Sequence, residues 1–200
     1  ILGITDRDSC PKRKNEYDQL VYSSSHYGLI SVALHWLVAL TVFGLFAVGF
    51  WMVDLSYYSE WYRIAPYWHK SMGILLAIVM ILRVLWRFLS PPPSALPSHK
   101  RWEKRTSALV QFCLYLGIFV LVLSGYLIST EDGRPIAVFT WFDVPALGAL
   151  FANQADIAGL VHEYVAYSLI TLAVLHGLAA LKHHFIDKDT TLKRMFGRKP

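Results

Sequence analysis

The chain has 200 residues, of which 55% are hydrophobic, 14% aromatic and only 16% charged, with a mean hydropathy of +0.40 and a net charge of +5. A soluble domain of this length carries more charge, and its apolar residues recur with a helix or strand period instead of filling blocks long enough to span a bilayer. A soluble globular fold is thereby excluded, and the basic pI near 9.2 becomes a matter of membrane topology and not of nucleic-acid binding.

Residues 1–28 are polar, with Arg7, Lys12, Arg13 and Lys14 set against Asp6, Asp8, Glu16 and Asp18. Without an apolar h-region this stretch is no signal peptide and reads as an extra-membrane arm. Cys10 in the arm and Cys113 in an apolar block give no basis for a disulfide, and the absence of C-x-x-C-H argues against covalently attached haem.

The first predicted helix runs from about residue 30 to 53, with His35 as its only ionisable residue. Trp36 and Trp51 stand at its two ends, as interfacial anchors do. An aromatic loop with Tyr57, Tyr58, Trp61 and Trp68 reads by default as an interface belt, and Pro66 precedes the second helix. That helix spans about 69 to 89, with His69 and Lys70 at its head and Arg83 well inside, and Ser90-Pro-Pro-Pro-Ser ends it. A basic connector from His99 to Arg105 leads into a third helix, about 106 to 129, free of charge and histidine. A long loop with Asp132-Gly133, Pro135, Pro145, Phe139, Trp141 and Phe142 precedes a fourth helix, about 158 to 181. The chain is expected to be an all-α membrane protein: a polar arm at 1–28, a four-transmembrane-helix bundle at 29–186 and a basic tail at 187–200.

Four spans put both termini and the second connector on one side. That side carries 15 Lys and Arg, the other only Arg63, Lys70 and Arg134. The bias places both termini in the cytoplasm.

The histidines fall at two depths. His162 and His176 are fourteen residues apart on the last helix, hence on nearly one face and about 21 Å apart along its axis. His35 lies at the depth of His176 near the cytoplasmic surface, and His69 lies at the depth of His162 near the outer surface. One intramembrane histidine alone is as well explained by a hydrogen bond across helices. Two depth-matched pairs instead suit two metal centres, and haem iron held by two neutral imidazoles from facing helices is the arrangement they fit. Haem propionates need cations, for which Arg83 at the inner level and Lys70 at the outer level are candidates. Arg87 reads as a snorkelling side chain, His183 and His184 with Lys182 as an interfacial basic cluster, and His26 and His99 as solvated.

The segments YGLISVALHWLVAL, HKSMGIL, GYLIST, DGRPIAVFTWFDVP and LHGLAALKHHFIDKDTTLKRM together resemble the bacterial cytochrome b-561 family over roughly residues 27–196. The resemblance implies a four-helix inner-membrane cytochrome with two non-covalent b haems of bis-histidine ligation and transmembrane electron transfer linked to ubiquinone. In this sequence His35, His69, His162 and His176 occupy the ligand positions. One activity associated with the family is superoxide oxidation with electrons passed to ubiquinone, while other relatives are haem anchors of larger dehydrogenases. The expectation is an electron wire and quinone-linked oxidoreductase. A periplasmic donor, superoxide or another small or protein donor, would meet the outer haem near Lys70, Arg134 and Trp141. Any positive funnel there is local, since Asp132, Asp143, Asp156 and Glu163 share that side. The alternatives are an electron-transfer or anchor subunit for a separate periplasmic redox protein, and a metal or proton transporter. The transporter reading is weakened by the lack of intramembrane Asp or Glu.

Overall fold

Among the described residues of the computed structural model, four helices are long and apolar enough to cross a bilayer: α1 (Leu29–Met52), α2 (Trp61–Leu89), α3 (Arg101–Thr130) and α4 (Gln154–Phe185). At 1.5 Å per residue even the 24 residues of α1 reach about 36 Å, more than the roughly 30 Å hydrocarbon core. The structure describes residues 27–93 and 99–196. The expected arm, apart from its last two residues, and the end of the basic tail lie outside the described residues.

Three helices begin earlier than the apolar runs indicate, each for a local reason. α2 starts at Trp61 and takes Pro66 into its second turn. This near a helix start, the missing proline N–H leaves only the Tyr62 carbonyl without its intrahelical partner, at interfacial depth. In α3 the basic connector itself is helical, and the Glu103 carboxylate accepts the Lys100 backbone N–H at 2.7 Å, which satisfies a free donor of the first turn. α4 opens on the fully buried Gln154, whose side chain accepts the Leu150 N–H at 2.8 Å and donates to the Leu127 carbonyl at 2.9 Å. The long loop is thus stitched to the end of α3.

That loop holds a feature absent from the helical pattern, a two-stranded antiparallel hairpin of β1 (Ile136–Val138) and β2 (Phe142–Val144). Phe139 turns the chain with φ 48 and stacks edge-on against Trp68, ring centres 5.0 Å apart. The buried Ser71 hydroxyl donates to the Ala137 carbonyl and accepts the Phe139 N–H, both at 3.2 Å. The hairpin is therefore fastened to α2 two residues beyond His69.

The bundle is two helical hairpins. α1 packs chiefly on α2 and α3 chiefly on α4, while the two pairs meet more sparingly. They touch in a central band of Val38, Val42, Leu76, Met80, Ile118 and Leu169. Within the α3–α4 pair, a Cβ on Gly117 would fall 2.8 Å from Leu169 Cδ1. Glycine thus lets α3 and α4 come together, as small residues do in bilayers, where contact and not water exclusion drives helix association. Exposed Leu40, Leu82, Phe88, Phe112 and Leu175 form the lipid-facing surface. At the end that carries the chain's tail, a short helix α5 (Thr191–Arg194) packs on α4, and the residues just after it reach α1. The Trp36 indole donates to the Met195 carbonyl at 2.9 Å, and its ring stacks on Phe196.

Candidate functional site

The central apolar band divides the space between the hairpins into two levels, each bordered by histidines. At the level of the β-hairpin, His69 on α2 faces His162 on α4, with ring centres 6.2 Å apart and planes at 67°. They line a cavity of about 710 Å³ whose walls are mainly Leu, Ile, Val and Phe side chains of all four helices.

Both rings rest on glycine. A Cβ on Gly49 of α1 would stand 3.2 Å from His69 Cε1, and one on Gly125 of α3 would stand 3.2 Å from His162 Cε1. Each ring also faces the carbonyl one helical turn before its glycine, Leu45 for His69 and Leu121 for His162. An α-helix carbonyl at position i−4 lies just behind the Cβ of residue i, so only glycine lets an imidazole approach it. The two contacts are not equal. His69 Nδ1 is buried with no partner in hydrogen-bond geometry among the described residues, whereas His162 Nδ1 lies 3.0 Å from Ser124 Oγ. The Ser124 hydroxyl has a single proton, already directed to the Val120 carbonyl at 2.8 Å or the Leu121 carbonyl at 3.1 Å. With its proton on either carbonyl, it accepts from His162. That arrangement puts the imidazole proton on Nδ1 and leaves the Nε2 lone pair for a metal.

At the other level Arg83 is the organising cation. Its Nη2 lies 3.2 Å from His35 Nδ1, and its Nε donates to the Tyr115 hydroxyl at 2.8 Å. His176 on α4 is close enough to His35 to interact with it. Arg83 Nη1 is buried without a hydrogen-bond partner among the described residues, a donor suited to an anionic group. A guanidinium only donates, so the contact with His35 requires a bare Nδ1. Metal ligation through His35 Nε2 would move the proton to Nδ1 and release Arg83 from that contact.

The expected donor-side residues are separated by their surroundings. Lys70 and Asp132 line the mouth of the cavity. Arg134 turns to Asp132, which accepts from its Nε at 2.6 Å and from its backbone N–H at 3.0 Å. The Arg134 side chain remains 83% exposed. Hydrogen bonds from Arg134 hold the Asp132 carboxyl below its ordinary 3.8. The local cationic field is thus smaller than a count of Lys and Arg indicates. Trp141, 68% exposed, caps the hairpin against Phe139.

Gly49, Gly125, Ser124, Tyr115 and Ser71 escaped the sequence reading. The available signal was a glycine at histidine depth inside each of two apolar runs. His99 differs from expectation: it is not solvated but only 18% exposed, 2.8 Å from Asp189.

The sequence profile of the prokaryotic cytochrome b561 family matches residues 26–198. The chain is 56% identical over 172 residues to cytochrome b561 homolog 2 of Escherichia coli K12, covering 86% of this chain and 92% of that protein. It is 26% identical over 179 residues to cytochrome b561 homolog 1 of the same organism, covering 88% and 99%. It is 28% identical over 178 residues to a probable superoxide oxidase CybB of Yersinia pestis, covering 86% and 97%.

Proposed function

The chain belongs to the prokaryotic cytochrome b561 family and is a membrane b-type cytochrome of electron transfer, and from that premise we propose that it carries electrons through two b haems between a periplasmic donor and the quinone pool. The observation that carries this reading is the facing of His69 and His162 across an apolar cavity. Two imidazoles on opposite sides of one metal, each nitrogen about 2 Å from it, put their ring centres about 6 Å apart. The observed 6.2 Å fits that span, and a mostly apolar cavity suits the macrocycle. When bound, haem supplies a one-electron centre whose potential the protein sets through ligands, hydrogen bonds and burial.

The chain's own residues do the rest. His69 and His162 would hold the outer group, and His35 and His176 would hold the inner one. Ser124 fixes the His162 tautomer, and the glycines admit both outer rings. Arg83 with its free Nη1 pairs with propionate at the inner level, and Lys70 offers a cation at the outer one. The 15 to 3 distribution of Lys and Arg supports cytoplasmic termini and a periplasmic β-hairpin. Superoxide as donor is supported by the relative from Yersinia pestis that is described as a probable superoxide oxidase. Lys70 and Asp132 line the cavity, Arg134 is paired with Asp132, and an anion would be drawn to these cations over short range.

A second reading, an electron-transfer subunit for a separate periplasmic protein, is favoured by the exposed Trp141 at the hairpin tip. One experiment separates the two. Purified protein is placed in ubiquinone-containing proteoliposomes and superoxide is generated on the hairpin side. Quinone reduction faster than in protein-free vesicles supports the self-contained oxidoreductase. Reduction that appears only with an added periplasmic fraction supports the subunit.

A further inference from the structure

Where the tail leaves α4, three residues far apart in sequence come together away from both intramembrane levels. His99 precedes α3, His183 lies in the last turn of α4, and Asp189 lies between α4 and α5. One ligand atom from each lies within 4.8 Å of the others. His99 Nε2 is 2.8 Å and His183 Nδ1 is 3.6 Å from Asp189 Oδ2, and the two rings stand 4.7 Å apart. Tetrahedral ligands at about 2.1 Å from Zn²⁺ are about 3.4 Å from one another, so these separations bracket what one ion requires.

Other features mark the cluster as more than a hydrogen-bonded pair. All three side chains are largely buried, at 18%, 18% and 9% exposure. His183 Nδ1 is buried and makes no hydrogen bond of acceptable direction among the described residues, although Asp187 Oδ2 lies only 2.8 Å away. That carboxylate is engaged by Lys182 at 2.7 Å. Asp189 is fixed from behind: its Oδ1 accepts the Thr191 N–H at 2.8 Å, leaving Oδ2 turned to the imidazoles. A ligand oriented by a backbone donor is how metal sites hold their carboxylates.

We propose that His99, His183 and Asp189 form a binding site for a divalent transition ion of the zinc class, distinct from the intramembrane histidine pairs. Two imidazoles and one carboxylate select zinc-like ions over Ca²⁺ or Mg²⁺, which prefer all-oxygen shells. A fourth position is left for water or Asp187. Because the ligands join the start of α3 to the segment that leads into α5, the ion ties the tail over the end of α1, where Trp36 already holds Met195 and Phe196.

The test uses haem-loaded, tag-free protein equilibrated with ZnCl₂, dialysed, and assayed for zinc and iron together by mass spectrometry. The expected result is about one zinc per chain, lost in His99→Ala and in Asp189→Asn while iron per chain is unchanged. The iron value shows that the variants are folded. In parallel, tryptic cleavage at Lys193 and Arg194 is expected to slow about tenfold at zinc ten times its Kd, in the wild type only. No retained zinc, or zinc retained equally by both variants, overturns the site.

Discussion

Ser124 Oγ stands 3.0 Å from Nδ1 of His162, with the Val120 and Leu121 carbonyls of its own helix placed to take its one proton. A hydroxyl that donates to either carbonyl favours the Nδ1–H tautomer of the ring, which leaves Nε2 as the free base. The Ser124→Ala variant is predicted to release haem from the outer site about tenfold faster, the low end of the usual effect for such a partner. The Leu121 carbonyl remains to orient the ring, which keeps the loss modest. Transfer of haem to an acceptor apoprotein measures the rate, and the inner site is expected to be unaffected.

The glycines impose a steric condition. A methyl group on Gly49 or Gly125 meets an imidazole carbon at 3.2 Å, so the ring must yield by a few tenths of an ångström. Alanine at either position is predicted to cost about 1–3 kcal/mol of local packing and to shift the outer haem potential. Valine is predicted to abolish that haem. Absorbance of the reduced protein, normalised to protein, reads both outcomes.

Arg83 contributes charge as well as contact. Loss of a cation near haem favours the oxidised, more positive state. The Arg83→Leu variant is therefore predicted to lower the inner midpoint potential, by about 1.7 kcal/mol or on the order of 70 mV for a charge about 10 Å away at an effective dielectric of 20. The Arg83→Lys variant should restore most of the potential but not the Tyr115 contact. Redox titration of the two haems distinguishes these cases.

Asp132 opposes the cations at the cavity mouth. The Asp132→Asn variant frees Arg134 and is predicted to raise the rate with an anionic donor by a factor of about 2–5 at low salt, with a steeper salt dependence. The sign with pH follows from the depressed carboxyl. Its pairing is present throughout the range above its ordinary 3.8 and is lost only as pH falls below that value. Wild-type rates should therefore show no step from Asp132 between about pH 5 and 9. Stopped-flow measurement at several ionic strengths checks both statements.

The four spans were legible because apolar blocks of bilayer length leave few other folds, and the two histidine levels followed from helix rise alone. Sequence periodicity does not reveal what packs behind a ring, so Gly49, Gly125 and Ser124 stayed hidden although each lies in plain sight in an apolar run. The starts of α2 and α3 were missed because polar and aromatic residues at interfacial depth continue a helix without continuing its hydrophobic signal. The β1–β2 hairpin depends on Ser71, a contact across 66 residues that no local pattern encodes. His99 read as solvated for the same reason, since its partner Asp189 lies 90 residues away.

The most direct test is the haem content of purified wild-type protein beside His69→Ala and His35→Ala, from haemochrome absorbance and protein concentration. Two b haems per chain in the wild type are predicted, with one lost in each variant and the remaining one spectrally distinct in the two cases. A single haem in the wild type, or two retained in either variant, would contradict the paired-histidine account.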